Sequence, residues 1–298
     1  AEKISGMEEL LKFVFLLAFV GFGTKAAVFP MYAWLPAASV APTPVTALLH
    51  AVAVVNAGAY AVLRVIYYSF GASFLYGTWA QTVALLLSCF TILFGSTMAV
   101  REQHFKRRLA YSTISNLSYM LMGAALMTPD GMTGSLSHLV IHGVIKITLF
   151  YCAGAILIKT GKEYVQDLRG YSRIMPATCG IFLLGSIALV GTPPLAGFVS
   201  KWNLLTAASA TELPMGTVAI VCLIISAILT AIYLFTAALP MYFRPLNADQ
   251  AQLAGQKLDP SWMMLVPMGI LCALMIGLGL WSQPLVTFLR NIAAGVIF

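Results

Sequence analysis

Apolar runs of about 20 residues recur from one end of this chain to the other. That is the length a helix needs to cross the hydrocarbon layer of a bilayer. Charge is scarce to match: 9% of the 298 residues are charged, against about 25% in an ordinary soluble domain. A membrane β-barrel would need strands of about ten residues with alternating polarity, and the chain has no such alternation. The fold class expected is therefore all-α integral membrane.

Eight transmembrane helices are expected within a single membrane domain, 1–298. They run over about 9–30, 43–68, 79–100, 109–128, 133–159, 174–209, 216–241 and 261–283, with 284–298 as an interfacial tail. Loop charge supports the layout. Segments 100–108, 159–173 and 242–260 carry Lys or Arg, whereas 69–78, 129–132 and 210–215 carry neither. Such alternation is the positive-inside pattern, so the net charge of +7 reads as an orientation signal and not as a nucleic-acid footprint. Lys106, Arg107 and Arg108 are most simply topogenic. The chain starts at Ala1, and Glu2, Glu8 and Glu9 crowd a start that holds no cleavable signal peptide. It reads as a portion of a longer subunit or as a half-size subunit.

Two helices should be broken. One break holds Pro30, Pro36, Pro42 and Pro44, shortly after Lys25. The other is Gly191-Thr192-Pro193-Pro194, seven residues before Lys201. Proline removes a backbone donor, and irregular backbone survives at membrane depth only where protein or a wet cavity shelters it.

Basic residues stand inside the spans. Lys25 and His50 lie in the first two, and Lys201 follows the second break. His138, His142 and Lys146 recur every fourth residue, which puts them on one helix face. An ionised group at the bilayer centre costs between about 3 and more than 10 kcal/mol, so such a group is a functional candidate by default. Burial disfavours the charged form of lysine, and histidine titrates near neutrality, so the six residues suit a proton relay. All ten acidic residues lie in loops, at termini or near helix ends. The expectation is that a carboxylate from another chain, or from a missing part of this one, faces Lys25. The five cysteines stand singly, with no metal-ligand spacing, and no nucleotide fingerprint is present, so no cofactor or metal is expected in this chain.

Four blocks carry a resemblance. KAAVFPMYAWLPAASVAPTPVTALLHAVAVVNAGAYAVLR resembles the hallmark of the antiporter-like, proton-conducting membrane subunits of complex I, membrane-bound hydrogenases and Mrp-type sodium/proton antiporters. FKRRLAYSTISNLSYML, HLVIHGVIKITLFYCAGAIL and GTPPLAGFVSKWNLL resemble three further blocks of the same family. The resemblance implies inverted five-helix repeats: 9–68 would end the first, 79–241 would form the second with its break at 191–201, and 261–298 would follow. It implies a relay through Lys25, His50, His138, His142, Lys146 and Lys201. It also implies a multi-subunit complex, with protons and possibly Na+ as cargo and lipids around it. The membrane would be the inner membrane of a prokaryote or an organelle equivalent. The chain departs from the family in lacking a Trp-Glu pair, in Asn56 where several relatives have lysine, and in His104 where an acid is common. Three readings follow: a redox-driven proton pump subunit, an Mrp-type antiporter subunit, or a non-conducting membrane scaffold.

Overall fold

The computed structural model describes residues 6–39, 41–211, 214–247 and 255–296, and among these the structure is helical. Helix α1 (Glu8–Gly23) enters the bundle, followed by α2 (Trp34–Ala38), α3 (Thr43–Ala51) and α4 (Val54–Arg64). A wider π-type turn (Val65–Phe70) and short α5 (Ala72–Leu75) lead to α6 (Trp79–Arg101), α7 (Phe105–Ala125) and α8 (Pro129–Thr160). Then come α9 (Pro176–Val190), α10 (Ala196–Ala210), α11 (Pro214–Phe243), α12 (Trp262–Leu280) and α13 (Gln283–Ala294). Among the described residues, five segments are long and apolar enough to cross a bilayer: Thr43–Phe70, Trp79–Arg101, Pro129–Thr160, Pro214–Phe243 and Trp262–Leu280. Exposed apolar side chains such as Leu17, Ile228 and Leu280 cover the outer surface, as lipid contact requires.

α7 is the axle of the bundle. All its residues but Arg107 and Tyr111 are buried, including Ser112, Thr113, Ser115, Asn116 and Ser118. A helix this polar is stable inside the protein because its neighbours supply hydrogen-bond partners that lipid cannot. Apolar side chains cluster on either side of it. One cluster joins α1, α4, α6 and the later turns of α7, and the other joins α8, α9, α11 and the first turn of α7.

Both expected breaks are present. The first starts earlier than the prolines suggest: α1 ends at Gly23 and residues 24–27 form turns, so Lys25 lies past the helix end. The second span is also interrupted. Val52 and Ala53 both donate to Leu48 O, and Asn56 Nδ2 donates to Ala51 O at 2.9 Å, so a side-chain amide takes over a carbonyl at the discontinuity. At the second break α9 ends in Gly191, whose φ of 95° is left-handed and so favours glycine. Gly197, in the first turn of α10, lets that turn lie against the α9 backbone, since a Cβ there would collide with Ala188 O. The tail is a helix, α13, with Val286, Leu289 and Ala293 buried.

The basic side is tied together by loop contacts. Asp259 caps α9, accepting from Ala177 N (3.1 Å), Thr178 N (2.9 Å) and Thr178 Oγ1 (2.8 Å), where the positive end of the helix dipole favours a carboxylate. Gly170 N donates to Pro240 O and Leu258 N to Ile174 O.

Candidate functional site: a buried basic axis

Lys201 lies on α10, just after the second break. In an unbroken helix, Leu189 O and Val190 O would accept from the fourth residue onward, which here is Pro193 and Pro194. Proline has no N–H to give. Lys201 Nζ donates to these two carbonyls instead, at 2.7 and 3.0 Å, at the negative end of the α9 dipole. The break therefore builds the socket for the lysine. Lys201 Nζ also lies 5.5 Å from the centre of the Tyr119 ring, close enough for a cation–π contact.

His138, His142 and Lys146 form one face of α8, as the spacing predicts. All three are buried, with Lys146 fully inaccessible. Lys146 Nζ donates to Leu109 O at 3.0 Å and to Ser112 Oγ, both on α7. His138 Nδ1 is 2.9 Å from Ser200 Oγ, one residue before Lys201, and the Tyr119 ring meets the His138 ring edge-on at 5.4 Å. The His138 and His142 rings stack with centroids 5.8 Å apart. Among the described residues, neither nitrogen of His142 has a protein partner, nor does His138 Nε2. Buried polar atoms of this kind are normally satisfied by ordered water. His50 is fully buried, stacked on Phe150 at 4.9 Å, and both its ring nitrogens also lack a partner among the described residues.

A second set of polar groups runs beside this face. Ser96, Ser115 and Ser226, from α6, α7 and α11, converge at 2.5 to 3.1 Å, and Tyr119 OH donates to Ser226 Oγ at 2.7 Å. Asn116 Nδ2 donates to Ser112 O. These hydroxyls carry polarity from the Lys146 site toward Tyr119, and so toward Lys201, without any ionised group.

Two sequence expectations change. Lys25 is exposed, not buried. It sits in the turn after α1, and Gly58 of α4 packs under its backbone so closely that a Cβ there would lie 2.6 Å from Lys25 Cβ. The close approach leaves the side chain directed outward. At the start of the chain Glu9 is engaged by Lys12 Nζ (2.6 Å) and Trp79 Nε1 (2.9 Å), and Glu8 is exposed. Among the described residues no carboxylate pairs with Lys25, and Glu2 lies outside them. Lastly, Lys106 and Arg108 are not loop charges. Both are buried in the first turn of α7, where Lys106 Nζ donates to Ala41 O (3.3 Å) and Arg108 to Glu102 O, Tyr233 O and Thr236 Oγ1. Only Arg107 of the three is exposed.

Tyr119, Ser112, Ser200 and the serine cluster were not singled out from the sequence. Their signal was present: hydroxyls and an amide at 112, 113, 115, 116, 118 and 119 give a single span an unusually polar stripe. Among the described residues no group of three or more His, Cys, Asp and Glu is arranged to hold a metal ion.

The geometry defines a class: a polytopic helical membrane protein with broken helices and an unpaired basic axis across its interior. Comparison with known proteins makes the class particular. Residues 3–230 match the family described as NADH:quinone oxidoreductase/Mrp antiporter, TM, and the chain belongs to that family. NADH-quinone oxidoreductase subunit N of Desulforudis audaxviator (strain MP104C) is 33% identical over 290 residues, covering 93% of this chain and 56% of the relative. The fold matches a chain of the Mrp complex from Dietzia sp. DQ12-45-1b with TM-score 0.83 and 24% identity, covering 95% of this chain and 59% of that one. It also matches a chain of respiratory complex I from Thermus thermophilus, with TM-score 0.79, 25% identity and coverage of 94% and 57%. The chain thus spans little more than half the length of these relatives.

Proposed function

We propose that this chain moves protons through His50, His142, Lys146, His138 and Lys201, as part of a membrane subunit of a redox-driven pump of the complex I or membrane-bound hydrogenase kind. The observation that carries the reading is Lys146. It is fully buried, and among the described residues its ammonium meets a carbonyl and a hydroxyl but no carboxylate. A hydrogen bond to a charged group returns about 1.5–3 kcal/mol, so two of them do not fully offset a mid-membrane charge. Neutral acceptors suit a group that must release a proton as well as hold one. The redox-coupled assembly is favoured over the Mrp-type exchanger by the name of the relative 33% identical to this chain. A scaffold that only docks neighbours would have no use for unpaired basic groups in its interior. The relay needs no cofactor in this chain.

Lys25 enters the proposal through a partner. Its exposed ammonium would be faced by a carboxylate supplied by a neighbouring chain or by further sequence of the same subunit, which would cover the surface around it. Other membrane subunits of the complex would supply the electron chemistry.

In membrane vesicles holding the assembled complex, Lys146→Ala should cut proton flux by at least about tenfold, the usual scale for a lost proton-transfer group, while complex yield stays near native. Undiminished flux removes the relay. Glu8→Gln combined with Glu9→Gln should leave flux unchanged. Loss of flux in that double variant would place the Lys25 partner within this chain.

A further inference from the structure

The relay as drawn begins inside the protein, and His104, Glu163 and Lys106 have no part in it. These three line a polar cavity of about 280 Å³ on the basic side, together with Glu102, Arg107 and Tyr164. We propose that this cavity is the proton-collecting mouth of the axis. The proposal rests on the translocation reading above.

The cavity is formed where segment 161–165 folds over the start of α7. Two backbone bonds already hold the segments together, Phe105 N to Glu163 O at 2.8 Å and Val165 N to Gln103 O at 3.0 Å. The closure therefore does not need the side-chain pair that spans the mouth, His104 Nε2 with Glu163 Oε2 at 3.2 Å. The pair straddles the boundary between solvent and protein, with side-chain exposures of 16% and 43%. An imidazole nitrogen and a carboxylate oxygen can each bind a proton and release it, so such a pair can take one from bulk water and pass it on. The charged and titratable groups facing His104 are Glu102, Lys106 and Arg107 from its own segment and Glu163 and Tyr164 from the opposite one. Glu102 Oε1 accepts from His104 N at 2.9 Å, and the Tyr164 ring meets the imidazole edge-on at 5.6 Å.

The inward connection is Lys106. It lines the cavity, is 5% exposed, and its Nζ reaches Ala41 O at 3.3 Å. The same carbonyl accepts from Thr46 Oγ1 at 2.9 Å. Thr46 is fully buried on α3, four residues and so about one turn before His50. Polar groups thus run from the cavity through Lys106, the Ala41 carbonyl and Thr46 to the first histidine of the axis. The step moves a proton alone. It leaves bulk water, binds the imidazole or the carboxylate, and departs inward, returning the pair to its starting state.

A collecting site matters most when protons are scarce. The test is initial proton flux against pH in vesicles holding the assembled complex, for the native protein, His104→Gln, Glu163→Gln, Glu163→Asp and Lys146→Ala. His104→Gln and Glu163→Gln should fall about threefold or more below native near pH ~8.5 and approach native near pH ~6, while Glu163→Asp, which keeps the carboxylate, tracks native. A native profile in both Gln variants overturns the proposal. So does a loss by one factor at every pH, which would mark a structural pair. Native flux in Lys146→Ala would instead overturn the translocation reading, so the two failures are separable.

Discussion

Arg108 and Lys201 show how much a single basic residue does here beyond carrying charge. Arg108 uses Nε and Nη1 to hold Glu102 O, Tyr233 O and Thr236 Oγ1 at 2.8 to 3.0 Å, joining the start of α7 to α11. The planar guanidinium reaches these acceptors in a fixed fork that an ammonium cannot copy. Arg108→Lys should therefore cost about 2–4 kcal/mol, the worth of one or two charge-assisted bonds, and lower the thermal midpoint of the detergent-solubilised complex by several degrees. An unchanged midpoint would mean that the fork is idle. The positions of His138, His142 and Lys146 on one face were legible from their spacing. The partners of Lys146 and Lys201 were not, because carbonyl acceptors leave no mark in a sequence. A carboxylate count therefore suggested missing counter-charges, where the fold supplies backbone dipoles to two of the three lysines. Lys25 alone still lacks a partner among the described residues.

The helices themselves were largely readable from apolar length and loop charge. Trp79–Arg101, Pro129–Thr160 and Trp262–Leu280 lie where the hydropathy puts them, to within a few residues. The breaks were readable as regions and not as positions. Proline marks where a helix cannot continue, but α1 ends at Gly23, before the first proline, and α3 ends at Ala51 with no proline near. The first stop depends on a tertiary contact, the approach of Gly58 beneath Lys25, and the second on a local one, the capture of Ala51 O by Asn56 five residues on. Hydropathy starts α7 at 109, later than its true start at Phe105, because its first turn is Phe105-Lys106-Arg107-Arg108. Charge at a span's edge reads as loop unless the burial of Lys106 and Arg108 is known.

For the molecule as a whole, the fold separates two apolar clusters by a polar axis that includes the Lys, His and hydroxyl groups of α7, α8, α10 and α11. Lys146 and Lys201 meet neutral acceptors, so any charge on them is costly and readily passed on. The central claim is that Lys146 acts by exchanging its proton and not by holding a fixed charge. The most direct measurement is proton flux in vesicles holding the complex with Lys146→Arg. Arginine keeps the positive charge and the donors but does not deprotonate in proteins. The account predicts an assembled complex whose flux is as low as that of Lys146→Ala. Native flux from the arginine variant would contradict it, because a fixed charge would then suffice.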